Sequence, residues 1–583
     1  MSSSRTASTY GSPRLGPRYR HGNLLDSAFL SVIVLSSAVL YVTRLGFYSD
    51  DWPFLSILST SDDRSLLGLW QQQYRFNANL QMRPTQVAYQ AVLFKLFGLE
   101  PLGYHVVNAL MMAIVTVMLY LVLRELDLSR VVAVAVAAVY GLIPNYSTDR
   151  FWFAAFGYTL TMAFYLLSLF ADLRAAGSRS WSLWGWKITA LLALLVASLG
   201  YEVVVPLLVV NVVLVWLHAR HLHDAGLSGR VGRWGAILFL GSNLFMIVVL
   251  LAYKSVTAQG VGLPPDEAPF YAVRLVVGAI FTNYGTYGLG LPYAGAWAIG
   301  NANVLILVSA LVLTLLVLGY LVLVSREEGG FAGHAAWRRL MIAGLAVFGS
   351  GYVIFFSTGR IGFSSTGIFN RVSIAAALGF AVSLLAGLGW LCTRLQKPLV
   401  RRRCFVTLVA GLCGAGFLIN NALALAWASA WSRERMVLEE IQESLPALPS
   451  HSTVILQGVC PYVGPAIVYE SNFDLASALQ LTYGDPTLKA DVATERLLIG
   501  QDGLRTQFYG FRSLHPYSRR LLLYDHEEKR VAFLSDMQAA TRYLGGPDRG
   551  ASMSCPKGVP GRGTLVLPTD ELYLRLEARG FRP

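Results

Sequence analysis

Apolar runs long enough to cross a bilayer recur along almost three quarters of this chain, and nothing else in it restricts the fold as strongly. They fall at 26–46, 103–123, 131–143, 155–173, 187–200, 202–218, 234–253, 301–324, 340–357, 371–391 and 404–428. A hydrocarbon core of about 30 Å needs roughly 20 helical residues to span it, so these runs predict about eleven transmembrane helices. Composition agrees. Hydrophobic residues make up 55% of the 583 and charged residues 14%, too little polar surface for a soluble chain of this length. The formal charge of +13 is placed for topology rather than for nucleic acid. Every second loop is basic: Arg14, Arg18 and Arg20; Arg124 and Arg130; Arg174, Arg179 and Lys187; Arg220, Arg230 and Arg233; Arg326, Arg338 and Arg339; then Arg394, Lys397 and Arg401 to Arg403. Basic loops stay cytoplasmic. The expected organisation is a disordered cytoplasmic tail over 1–25, a membrane region over 26–428, and an extracytoplasmic domain over 429–583.

The first outer loop, 47–102, contains "PTQVAYQAVLFKLFG" (84–98), apolar but short, and is read as a helix lying in the interface. The segment 270–290 is read as re-entrant. After 428 the pattern changes to short β-like runs, "TVILQGV" (453–459) and "LLLYDHEEKRVAFL" (521–534), which predict a mixed α/β domain. The two outer cysteines, Cys460 and Cys555, are expected to form a disulfide, two separate buried thiols being the alternative.

Immediately after the first apolar run the chain reads "RLGFYSDDWPFLS" (44–56). Asp50 and Asp51 are thereby placed at the outer interface. Adjacent carboxylates repel, and need a cation, a basic residue or a shared proton. A plain hydrophilic stop after a span is the simpler reading. A second pair, Asp62 and Asp63, fits a helix start capped by Ser61 or Asp62.

The sequence around the first pair is more specific. "FYSDDW" is followed by "RPTQVAYQAVLFKLFGLEPLGYHVVN" (83–108). This resembles the first outer loop of the polytopic C-type (GT-C) glycosyltransferases, among them protein O-mannosyltransferases and lipid A aminoarabinose transferases. The matching residues are Asp50, Asp51, Arg83, Pro84, Gly98, Pro101, Tyr104, His105 and Asn108. The mannosyltransferases carry Asp-Glu where this chain has Asp-Asp. The resemblance implies a GT-C-like helical membrane fold and an enzyme that moves a sugar from a polyprenyl-phosphate carrier to a glycan, lipid or protein acceptor.

Such a reaction, run with inversion, needs a carboxylate to take the acceptor proton, cations for the phosphate leaving group, and aromatic faces for the sugar. Asp50 is the expected base, Asp51 orienting the acceptor or binding a cation, and Asp149 is a further outer acid. Arg83, Lys254, Arg360 and Arg371 are the expected phosphate ligands, with Arg371, at the start of a span, ranked first; Arg274 is another outer cation. Tyr48, Trp52, His105, Trp152, Tyr158 and Glu202 are expected around the sugar or acceptor. No cofactor is required, though a divalent cation is compatible with the acids.

Rival readings are a lipid-linked oligosaccharide polymerase or ligase, a lipid or glycan transporter, and an assembly scaffold. A transporter would place charge within several spans, whereas the spans here read as nearly free of it. The histidines of "HARHLHD" (218–224) fall in a cytoplasmic loop, where a solvated basic segment is the simpler reading. No zinc-peptidase or P-loop motif occurs. Asn145-Tyr146-Ser147 matches a glycosylation acceptor pattern. The expected location is a bacterial plasma membrane, with the N-terminus cytoplasmic.

Overall fold

A computed structural model of the chain describes residues 17–178, 181–224, 233–257, 268–327, 331–358, 362–494, 496–508 and 511–545. Every expected apolar run falls on a helix, but the helices are not equivalent. Among the described residues eight are long and apolar enough to cross a membrane: Gly22–Arg44, Pro101–Glu125, Phe153–Ala176, Trp181–Ser198, Glu202–Leu222, Val304–Glu327, Ile368–Cys392 and Pro398–Ser444. The chain is thus a multi-pass helical membrane protein. The run at 131–143 forms Arg130–Leu142, only 13 residues. At 1.5 Å per residue that is about 20 Å, short of a bilayer. Val132 to Leu142 are all buried, so its apolarity serves the protein core rather than lipid. The run at 234–253 lies on Arg233–Thr257, and that at 340–357 on His334–Val353, which carries Arg338 and Arg339.

Four further expectations need correction. Helix begins at Pro17, so residues 17–25 are helical rather than a disordered tail. Lys187 is not in a loop: it lies inside Trp181–Ser198, ion-paired with Asp172 at 2.9 Å and bonded to Asn243 at 2.7 Å. Nor are the spans nearly free of charge, since Asp26 in the first helix holds Arg130 by two bonds of 2.7 and 2.8 Å. A buried charge persists when its partner and hydrogen bonds are built in, and a hydropathy pattern cannot register such partners. Finally, the helix after Asp62-Asp63 starts at Leu66, capped by Ser65, whose Oγ accepts from the Gly68 amide.

The short apolar run at 84–98 forms the helix Pro84–Phe97, with proline in the first turn, where a missing N–H costs nothing. Residues 270–290 form Ala268–Ile280 followed by a π-helical stretch, Phe281–Leu289.

The boundary placed at 428 falls inside one unbroken 47-residue helix, Pro398–Ser444. The separate domain begins beyond it. Its main sheet has β1 (Thr453–Gln457), β2 (Lys489–Val492), β3 (Leu521–Asp525) and β4 (Arg530–Phe533) in the order β2-β1-β3-β4. β1 runs parallel to β2 and β3, with Val454 opposite Ala490 and Leu522, and β3–β4 is the hairpin expected at 521–534. A crossover helix, Asn472–Tyr483, joins β1 to β2; it opens on a Ser471–Asp474 capping box and ends at Gly484 in the left-handed region. This helix packs on Asp51–Ser59 of the segment that follows the first long helix. The domain therefore sits over the segment that carries the carboxylate pair.

Candidate active site

The loop from the first helix to Asp51 is fixed by contacts that leave little room for variation. A Cβ at Gly46 would fall 1.8 Å from the Trp431 ring, so only glycine fits. Tyr48 donates its hydroxyl to the Trp427 carbonyl at 2.9 Å, and the Trp152 indole N–H donates to the Tyr48 carbonyl at 2.9 Å. Ser49 then adopts φ 47°, a left-handed conformation that costs an L-residue energy. This turn sends the two aspartates in different directions.

Asp51 points inward. One carboxylate oxygen accepts from the Tyr48 amide at 2.9 Å and the other from the Ala154 amide at 2.7 Å, and the side chain is wholly buried. It is a staple between two loops. Burial pushes its carboxyl well above the usual range, against the pull of these amides, and Asp50 adds to the rise. Asp50 is half-buried, and its carboxylate has no hydrogen-bond or ion-pair partner among the described residues. Burial raises its proton affinity, and the Arg371 guanidinium pulls it back.

Arg371 and Asp149 come from loops 222 residues apart in the chain, and one side chain joins them. Asn370 donates to the Pro144 carbonyl (3.3 Å), Ser147 Oγ (3.0 Å) and the Ser365 carbonyl (3.1 Å), and accepts from the Thr148 amide (3.2 Å). Thr148 in turn donates to the Gly367 carbonyl at 3.0 Å. Asp149 is fully buried with neither carboxylate oxygen hydrogen-bonded. Burial holds it well above the usual carboxylate range, opposed by Arg371 and Arg150. Arg371 lies over the Trp152 ring, 5.0 Å from its centroid. Asp50, Asp149, Arg371 and Trp152 thus converge where the loops leave the membrane helices, with a cation whose charge acts on both uncommitted acids.

The other expected cations are engaged differently. Arg83 forks onto Glu202 (2.9 to 3.2 Å), and Lys254 bonds the same carboxylate at 2.9 Å. Glu202 is therefore the counter-ion of two expected phosphate ligands. Arg83 also covers the Tyr201 ring at 4.2 Å, and Tyr201 stacks on Tyr158 at 3.7 Å. Arg274 is buried in Ala268–Ile280. Arg360 lies outside the described residues, as does Cys555, and with it the expected disulfide to Cys460.

Three expected sugar contacts prove to be core. Tyr48 is fully buried against Trp427. Trp52 donates its N–H to Glu434 at 2.9 Å and stacks on Trp431. His105 bonds the Gly46 carbonyl at 2.9 Å through Nε2 and is 2% exposed. Asn145 is also fully buried, bonded to Asn283, which removes it as a glycosylation acceptor. Among the described residues no group of three or more His, Cys, Asp or Glu is placed to hold a metal ion.

Sequence reasoning missed Ser49, Tyr201, Asn370 and Glu470. Only Asn370, adjacent to Arg371, carried a local hint. Glu470, from the C-terminal domain, reaches Ser49 at 3.3 Å.

No family model matches the chain, and no curated protein matches it. Among solved structures, ArnT from Cupriavidus metallidurans bound to undecaprenyl phosphate aligns over 80% of this chain and 85% of its own, at 13% identity and a TM-score of 0.35. The apo state of the same protein aligns over 75% and 82%, at 15% identity and a TM-score of 0.31. Scores this low do not establish a shared fold.

Proposed function

We propose that the chain is an integral-membrane glycosyltransferase that moves a sugar from a polyprenyl-phosphate donor to a hydroxyl acceptor on the outer face of the plasma membrane, with inversion. One observation carries this reading: an uncommitted carboxylate, Asp50, shares a loop cluster with a guanidinium, Arg371, that makes no ion pair among the described residues. Asp50 takes the acceptor proton as the acceptor oxygen attacks the anomeric carbon. The bond from that carbon to the phosphate oxygen breaks, and the polyprenyl phosphate leaves as an anion. Arg371 stabilises the developing negative charge; a leaving group already stable as an anion needs a cation more than an acid. Trp152, buried beneath Arg371, supports the guanidinium from below.

A raised proton affinity suits Asp50 to this work, since a stronger base removes a hydroxyl proton more readily. Asp51 is assigned a structural role instead, since each of its oxygens accepts a backbone amide and the side chain is wholly buried. Asp149, buried beside Arg371, is assigned to the acceptor or to the sugar hydroxyls. Arg83 and Lys254, both held by Glu202, leave Arg371 as the principal phosphate ligand, which favours a single phosphate over the pyrophosphate of a ligase.

The test is turnover of native polyprenyl-phosphate sugars by purified protein in a membrane extract that contains the acceptors. Mass spectrometry would follow free polyprenyl phosphate. Asp50→Asn is expected to abolish its release at unchanged folding. Equal release by wild type and Asp50→Asn would refute the assignment.

A further inference from the structure

We propose that Glu470, carried by the C-terminal domain, is a positioning residue for Asp50, so that the catalytic centre is completed from outside the membrane region. This rests on the reading of Asp50 as the base. Glu470 lies between a short hairpin, Tyr462–Val463 with Ala466–Ile467, and the helix Asn472–Tyr483. It is 5% exposed, and each carboxylate oxygen is committed: Oε2 accepts from the Tyr462 hydroxyl at 2.6 Å and Oε1 from Ser49 Oγ at 3.3 Å. Its own amide is tied to Asp474 at 2.8 Å, which also caps the helix behind it. The group is therefore rigidly mounted, and among the described residues its bond to the membrane region is to the residue before Asp50.

That residue is the one in a left-handed conformation. A strained turn persists only where its surroundings over-determine it. From the inner side Asp51 fixes the Tyr48 amide; from the outer side Glu470 fixes the Ser49 hydroxyl. Between them the backbone has one way to present Asp50. Two further contacts hold the following helix to the outer part of the molecule: Ser56 Oγ donates to Gln480 at 3.0 Å, and Trp52 donates to Glu434. The charged and titratable groups facing Glu470 are Asp50, Asp474, Arg496 and Tyr462. It binds no substrate in this scheme, being enclosed by these groups.

The test uses the full chain and the polyprenyl-phosphate-sugar extract. Glu470→Ala is expected to lower kcat by about tenfold or more, with KM for the lipid donor within about twofold, because only the orientation of Asp50 is lost. Glu470→Gln should recover most of the loss, since an amide can still accept from Tyr462 and bond Ser49. Hydrogen exchange over residues 45–55 supplies a readout independent of turnover: about tenfold faster in Glu470→Ala, and close to wild type in Glu470→Gln. Unchanged exchange and unchanged kcat in Glu470→Ala would overturn the proposal. So would equal losses in both variants, which would indicate a merely structural or purely electrostatic role. Asp50→Asn run alongside separates the two claims. If it retains transfer, the base assignment falls and this role with it; if it is inactive while Glu470→Ala is not, only the positioning role falls.

Discussion

Replacing Arg83 by Gln tests whether this arginine is a phosphate ligand or the partner of Glu202. Its guanidinium reaches Glu202 at 2.9 to 3.2 Å, and Lys254 reaches the same carboxylate at 2.9 Å. All three side chains are less than a third exposed, at 24%, 21% and 9%. Unit charges about 4 Å apart attract by roughly 4 kcal/mol at an effective dielectric of 20, and desolvation offsets part of that. Breaking a fully buried pair costs about 3–5 kcal/mol and an exposed one about 0–1. This partly screened triad belongs between, at about 2 kcal/mol. Arg83→Gln should therefore destabilise the purified protein by about that amount in detergent unfolding. The double variant Arg83→Gln/Glu202→Gln should be less destabilised than the sum of the two singles, by about 1–2 kcal/mol of coupling. Additive losses, together with a KM for the lipid donor raised about tenfold by Arg83→Gln alone, would show that Arg83 binds phosphate and that the triad has been misread.

Three other outcomes follow from the same geometry. Asp51→Ala strands the buried Tyr48 and Ala154 amides and should cost about 2–4 kcal/mol in thermal or denaturant unfolding, where a surface acid would cost almost nothing. Asn370→Ala removes four hydrogen bonds, three of which join the loops of Asp149 and Arg371, so kcat should fall about tenfold or more, read by steady-state release of polyprenyl phosphate. The pH dependence of transfer has a definite sign: because burial raises Asp50 and Arg371 lowers it, activity should rise with pH through a limb above the ordinary carboxylate range. Arg371→Gln removes the lowering influence and should move that limb to still higher pH; a shift to lower pH would contradict the pairing.

Much of the architecture was legible because apolar periodicity reports burial directly. The runs at 26–46 and 371–391 became long apolar helices, and 521–534 became a hairpin. The position of the carboxylate pair after the first helix was equally plain. What distinguished Asp50 from Asp51 was not, since it depends on amides at Tyr48 and Ala154 that only the folded loops bring within reach. Lys187 looked like a loop cation because Asp172 and Asn243, which make its burial tolerable, lie on neighbouring helices. Arg83 and Lys254 looked available for the same reason: their counter-ion, Glu202, is distant in the chain. Charge identity is local, but charge partnership is tertiary.

The helix Pro398–Ser444 passes without a break from the apolar helical core to the foot of the C-terminal domain. At 1.5 Å per residue its 47 residues extend about 70 Å, more than twice the hydrocarbon thickness. It works as a keyed shaft. Each residue added to or removed from its protruding part would turn the domain by about 100° about the helix axis and shift it by about 1.5 Å. The meeting of Glu470 with Ser49 thus depends on rotational phase and axial height together: one inserted residue turns the domain away, and seven, which return it to within about 20° of its original heading, lift it by about 10 Å, so either would disengage the contact.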